Sequence, residues 1–206
     1  MTTFCIDMLN ALKSQDMRVT KHLLNSKVAD FYSGDSKGLG LFGTCERDLQ
    51  YIIFTELCQS YRLYPEYVGA YSDKQRIDLA LWSVTGATYE DDAPDIAIEM
   101  KWAGFTQAGE LSSRACQSMV NDVLKMKRCN VQNRFFMQCA ITESKLPLDD
   151  NKRKSNLEKN ANEIFYKNQF RNHYLRLSFW GSFETIGNQG QTKYFNLLLW
   201  KVCKTD

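Results

Sequence analysis

Asp78, Glu99 and Lys101 are the residues of this chain whose types and spacing best suit chemistry. Asp78 lies in Arg76-Ile-Asp-Leu-Ala80, and the other two close the run Asp95-Ile-Ala-Ile-Glu-Met-Lys101. Both segments read as strands. Side chains alternate between the faces of a strand, so Glu99 and Lys101 point one way while Ile98 and Met100 point the other. A carboxylate and an ammonium among apolar neighbours are costly to bury unless they are paired or hold a metal. Brought side by side, Asp78 and Glu99 would form an all-oxygen site suited to Mg²⁺. Such an ion beside a lysine is suited to hydrolysing a phosphodiester.

Pro94-Asp95 supplies a second acid closer in sequence to Glu99. Four residues along one strand place Asp95 and Glu99 about 13 Å apart at ~3.3 Å per residue, too far to share an ion. A neighbouring strand only about 5 Å away can bring Asp78 to Glu99. Asp78 is therefore the expected ligand, and Asp95 an auxiliary or surface acid. Pro94 is expected to open the second strand, where a missing N–H costs little.

Asp78 followed by Glu99-Met-Lys101 resembles the motif of the PD-(D/E)xK nuclease superfamily, which includes many restriction endonucleases. Ile77 stands where the motif usually has proline. The resemblance covers roughly residues 44–142. It implies a mixed α/β (α+β) fold, with a restriction-endonuclease-like core in αβββαβ order and a central mixed sheet flanked by helices. It implies Asp78, Glu99 and Lys101 as catalytic residues. Mg²⁺, for which Mn²⁺ can substitute, would be held by Asp78, Glu99 and the Met100 backbone carbonyl. Many members carry a helix glutamate as an auxiliary or second-metal ligand, here Glu46. The products would be 5′-phosphate and 3′-hydroxyl, the substrate double-stranded DNA, and the active species often a homodimer. Lys101 would orient the attacking water, and its role as general base would require a depressed pKa. Gln117 is similar to the glutamine of the exonuclease branches, but Asn121 stands where those have tyrosine. A solvated or capping role serves Gln117 equally well.

The elements that must position these groups are legible in outline. Residues 1–32 read as one or two helices, with Phe4, Met8, Leu9 and Leu12 at helical spacing. The glycine-rich stretch 33–43 lacks the Gly-Lys-Ser/Thr end of a phosphate-binding loop and reads as a connector. Thr44 suits the N-cap of a helix over 45–62, where Glu46 shares a face with Leu49, Ile53 and Leu57. Glu46 could approach the acidic site or simply stabilise the helix N-terminus. Strands are expected at 67–70, 76–84 and 95–102, the last two joined by a long acidic connection. A helix over 111–128 follows, ending in Lys125, Lys127 and Arg128. Its Asn121–Lys127 segment resembles the helix that commonly follows Glu-x-Lys in restriction-like nucleases.

The apolar run 135–141 suits a buried strand, and a helical crossover would make it parallel to 95–102. Residues 143–162, including Lys152, Arg153 and Lys154, read as a polar loop, solvated or resting on DNA backbone. A helix over 157–170 and a strand pair over 175–183 and 194–202 complete the chain. The aromatic residues of that pair read as core or dimer contact. The expected organisation is one domain over 1–206: an N-terminal extension at 1–43, the nuclease core at 44–142 and a C-terminal elaboration at 143–206.

Composition narrows the classes. Net charge is +2 over the 206 residues, but residues 1–100 carry −6 and residues 101–206 carry +8. The basic half could hold phosphates or serve solubility alone. Seven scattered cysteines without a Cys-x-x-Cys argue for reduced thiols in a cytoplasmic protein. Two histidines, His22 and His173, exclude a histidine-rich metal site. With no run of 18 apolar residues and no signal-peptide pattern, a soluble protein without a membrane partner is expected. The leading expectation is a Mg²⁺-dependent DNA endonuclease of type II restriction kind. The alternatives are a repair, recombination, phage or toxin nuclease acting on structured DNA or RNA, and a non-catalytic nucleic-acid-binding or scaffold protein.

Overall fold

The computed structural model describes residues 1–25, 46–68, 75–82, 94–102, 113–167, 172–187 and 191–205, apart from the side chains of 19–25, 113–118 and 165–167. Helix α1 (Thr2–Asn25) buries Phe4, Met8 and Leu12, the stripe that its sequence spacing predicts. Helix α2 (Glu46–Leu57) packs on it through Leu49, Ile53 and Leu57, with acids in its first turn that suit the positive end of the helix. Strands β1 (Arg62–Tyr67), β2 (Ile77–Trp82) and β3 (Ile96–Trp102) follow. Helix α3 (Ser113–Arg128) crosses over to β4 (Asn133–Thr142). Helix α4 (Asn151–Lys167) leads to the long strands β5 (His173–Ile186) and β6 (Thr192–Lys204).

The six strands form one mixed sheet in the order β1-β2-β3-β4-β6-β5. Among the described residues only the β3–β4 pair is parallel, as a crossover through a helix allows, and Glu99 and Lys101 lie opposite Phe136 and Gln138. The other pairs are antiparallel. Helices cover both faces. On one, α3 and α4 bury Met119, Val123, Met126 and Leu157 against Phe136 and Trp200. On the other, α1 and α2 pack over Leu79, Ile98, Met137 and Phe195. Phe183, Phe195 and Trp200 are therefore core residues. The fold is mixed α/β, with four helices and six strands among the described residues.

Three boundaries depart from expectation. The first strand occupies Arg62–Tyr67 rather than 67–70, because α2 stops at Leu57. The Ser60 and Tyr61 amides both donate to the Leu57 carbonyl in the turn that follows. Helix α4 begins at Asn151 rather than 157, so Lys152, Arg153 and Lys154 are helical rather than in a loop. Asp150 starts that helix early, its carboxylate accepting from the Lys152 amide at 2.8 Å. The strands of the C-terminal pair run further at both ends than 175–183 and 194–202. The glycine-rich stretch 33–43, the acidic connection 83–93 and the loop 103–112 lie outside the described residues. No helix among the described residues is long and apolar enough to cross a membrane.

Candidate active site

β2 and β3 run antiparallel with Leu79 opposite Ile98, and one further step in that register sets Asp78 opposite Glu99. Both belong to the sheet face covered by α3, where Ala80 and Ala97 are core neighbours. Asp95 lies at the other end of β3, exposed, its amide donating to the Leu81 carbonyl. The choice of Asp78 over Asp95 thus agrees with the strand geometry. Pro94 is buried just before the strand begins.

Asp78 is fixed by its own hairpin: Oδ2 accepts from the Met100 amide at 2.6 Å. Burial pushes its pKa up to about 6, against the lowering effect of that hydrogen bond and of Lys125, with Glu66 and Glu46 adding to the rise. Glu99 is only 3% exposed. Burial, then the neighbouring Asp78, pushes its pKa up to about 8, although Lys125 opposes the shift. Asp78 is thus close enough to resist the ionisation of Glu99.

Helix α3 runs antiparallel to β3 and lays a matching acid and base over the strand. Lys125 Nζ sits 2.6 Å from Glu99 Oε1, and Asp122 Oδ2 lies 3.5 Å from Lys101 Nζ. Lys125 is therefore a member of the site, not only one of the outward cations at the end of α3. Glu46 completes the cluster from the first turn of α2. Its carboxylate lies 3.3 Å from Lys101 Nζ and accepts from the Trp102 amide at 3.0 Å. Burial alone would lower the Lys101 pKa, but Asp122 and Glu46 outweigh it and hold the ammonium above its usual range. Lys101 is consequently a cation here, without the depressed pKa that a general base would need. Asp122 is itself raised by burial, against the pull of Lys101.

A cleft of about 480 Å³ opens beside Asp78, lined also by Glu46, Arg47, Gln50, Glu66 and Met100. Gln50, 7% exposed, donates to the Asp78 carbonyl and, at 3.4 Å, to Glu66 Oε1. Glu66 has a φ of 54°, the left-handed region that a non-glycine residue rarely adopts. Gln50 and Glu66 have no counterpart among the residues that spacing singles out. Asp122 and Lys125 lie in the Asn121–Lys127 segment whose resemblance to the helix after Glu-x-Lys was the available signal.

The donor set fits a hard cation in part. Two adjacent carboxylates whose pKa values burial raises offer the oxygen ligands that Mg²⁺ prefers, and Mg²⁺ usually binds through one or two carboxylates with the rest water and phosphate. No group of three Asp, Glu, His or Cys side chains among the described residues is arranged to hold a metal. Glu46 is engaged by Lys101 and Trp102, and Met100 lines the cleft beside Asp78. Gln117 lies on α3, with its side chain outside the described set.

The remaining basic residues lie apart. Lys127 and Arg128 end α3 away from Lys101, and the Lys127 carbonyl accepts from Arg134. Lys152, Arg153 and Lys154 sit on the first turn of α4, which packs on β5 at the far edge of the sheet from β2. The structure does not bring them to the Asp78–Glu99 site. Comparison with known proteins yields no match, whether to a family model, a curated protein or a solved structure.

Proposed function

We propose that this chain is a Mg²⁺-dependent DNA endonuclease of the PD-(D/E)xK kind, related in design to the type II restriction enzymes. The observation that carries the reading is the adjacency of Asp78 and Glu99 on β2 and β3, with Lys101 two residues further along the same strand face. The order α2-β1-β2-β3-α3-β4, with β3 and β4 parallel, supports it.

Bound by these carboxylates, Mg²⁺ would polarise the scissile phosphate and lower the pKa of a coordinated water. Asp78 contributes an oxygen oriented by the Met100 amide. Glu99 contributes a second, with Lys125 as its counter-charge until a cation takes that place. Lys101, kept protonated by Asp122 and Glu46, offsets negative charge that grows on the phosphate in the transition state. Arg47, at the mouth of the cleft, is placed to meet the flanking backbone.

The test is cleavage of supercoiled plasmid with Mg²⁺ and with EDTA, by the wild type and by Glu99→Ala and Lys101→Ala. Metal-dependent cutting lost in both variants supports the nuclease reading, and discrete fragments add sequence specificity. Cutting that survives both substitutions rejects it. A second reading, a non-catalytic nucleic-acid-binding protein, is favoured by one observation: Glu99 and Lys101 already have charged partners in Lys125, Asp122 and Glu46. Absence of cutting on plasmid, branched DNA and RNA alike, with binding retained, would select that reading.

A further inference from the structure

A second cleft, of about 560 Å³, opens at the opposite end of the sheet, where β4 begins and β6 ends. It shares no lining residue with the cleft beside Asp78. Arg134, Arg176, Lys201 and Lys204 line it, and no Asp or Glu lines it among the described residues. None of these four cations has an ion-pair partner among the described residues. Lys201 Nζ meets only a neutral acceptor, Asn133 Oδ1 at 3.2 Å, and lies over the Phe135 ring.

Arg134 is the most buried of the four. It is 6% exposed, and its Nη1 donates to the Lys127 carbonyl at 3.0 Å. Its Nε is buried with no hydrogen-bond partner among the described residues. Strand alternation puts Arg134 with Phe136 on the α3 face, whereas Arg176, Lys201 and Tyr174 share the other face with Phe135. The guanidinium fork matches phosphate oxygens, and lysines at the rim add sequence-independent attraction. Tyr174, 39% exposed, stands at the same cleft. Cations beside an aromatic side chain are how proteins hold a single strand, gripping phosphates and stacking a base.

We propose that this cleft binds the phosphodiester backbone of single-stranded nucleic acid, at a site separate from Asp78 and Glu99. It does not depend on the nuclease reading. In register, Arg134 faces Ala97, so about 13 Å of β3 lies between its level and that of Lys101 at ~3.3 Å per residue. A strand held here leaves the acidic cleft open.

The experiment is fluorescence anisotropy of a labelled single-stranded oligonucleotide across a salt series, in EDTA so that no cleavage occurs. The variants are Arg176→Ala with Lys201→Ala, Tyr174→Ala, Tyr174→Phe, and Glu99→Gln as the control at the other site. Circular dichroism checks that each is folded. The double variant is expected to raise Kd at least about tenfold and to flatten the salt slope by about 1.4, at about 0.7 per phosphate contact. Tyr174→Ala is expected to weaken binding several-fold while Tyr174→Phe does not, and Glu99→Gln is expected to bind as the wild type. Unchanged Kd and slope in a folded double variant would overturn the proposal. So would binding of inorganic phosphate alone with no affinity for the oligonucleotide, or a wild type that binds neither. Loss in Glu99→Gln but not in the double variant would move the binding to the acidic site, overturning this proposal and leaving the nuclease reading intact.

Discussion

Lys125 holds its ammonium 2.6 Å from the carboxylate of Glu99, and it does so from a helix that runs against the strand bearing that acid. Three residues earlier on the same helix, Asp122 meets Lys101. Strand and helix thus present acid–base pairs in opposite order, and each charge meets its complement. The Glu99 side chain is 4% exposed and that of Lys125 is 22% exposed, so the pair is shielded from solvent and salt. In the absence of a metal, Lys125 is the charge that makes an otherwise unfavourable carboxylate tolerable.

Lys125→Gln is therefore expected to destabilise the metal-free protein by about 3 kcal/mol, the usual scale for removing one partner of a buried pair. Proton uptake by Glu99, whose pKa rises further once Lys125 no longer lowers it, would recover part of that loss. Mg²⁺ is expected to stabilise this variant more than the wild type, because no ammonium competes for the carboxylate. Thermal unfolding with EDTA and with Mg²⁺ checks both. An equal Mg²⁺ shift in the two proteins would show that Lys125 and the ion do not share Glu99.

Asp78 and Glu99 also set a pH dependence. Both have folded-state pKa values above their ordinary ones, about 6 and about 8, so the folded state binds their protons more tightly than the unfolded chain does. Their contribution to stability is full below about pH 4, falls as pH rises through these values, and is flat above about 8. Urea midpoints in EDTA at pH 5, 6.5 and 8 should show wild type losing ground to Glu99→Gln as pH rises. A difference between the two that is constant with pH would contradict the raised Glu99 value.

Glu46 touches both Lys101 and the Trp102 amide, so it positions the lysine and the strand end together. Glu46→Gln keeps an acceptor for the amide and loses the charge beside Lys101. Cleavage is expected to fall about 10- to 100-fold, as for other residues that orient a metal site's reactive groups, with the thermal midpoint nearly unchanged. The pH profile distinguishes positioning from bulk stability. Without one of its two acids, Lys101 is expected to lose its proton at lower pH, and the alkaline limb should move down with it.

Glu66 sits at the same cleft with φ 54°. A left-handed conformation costs a non-glycine residue about 1–2 kcal/mol, and glycine is free of that cost. Its contact with Arg76 at 3.6 Å is between exposed side chains and worth at most about 1 kcal/mol. Glu66→Gly is accordingly expected to raise stability by about 1 kcal/mol in denaturant melts. Weaker cleavage in the same variant would tie the strained strand residue to the geometry around Asp78.

How much of this was legible depended on range. The alternation Ile-Asp-Leu-Ala and Ile-Ala-Ile-Glu-Met-Lys carries strand and face in a few residues, so the positions of Asp78 and Glu99 could be read locally, and the apolar run 135–141 marked β4 in the same way. Lys125 was legible only as part of a helix resembling the one that follows Glu-x-Lys; its pairing with Glu99 was not, because only the docking of α3 on β3 decides whether a helix-end lysine faces solvent or Glu99. Gln50 was hidden for a related reason: a polar residue on the buried side of α2 has no periodic signature, and its partners lie on two different strands. The early start of α4 was missed because Leu157, Ala161 and Ile164 are too few apolar positions to mark a polar helix, whereas its cap at Asp150 was local chemistry.

The antiparallel seating of α3 on β3 also fixes the rotational phase of that helix. Each residue added to a helix turns everything beyond it by about 100° and advances it about 1.5 Å. One residue inserted between Asp122 and Lys125 would leave Lys101 its acid yet swing the next ammonium off Glu99. One inserted between Lys125 and Lys127 would keep both pairs and withdraw the carbonyl that Arg134 rests on. The helix acts as a gauge of set length between the two ends of the sheet, and the interval from Asp122 to Lys127 can change in composition far more readily than in number.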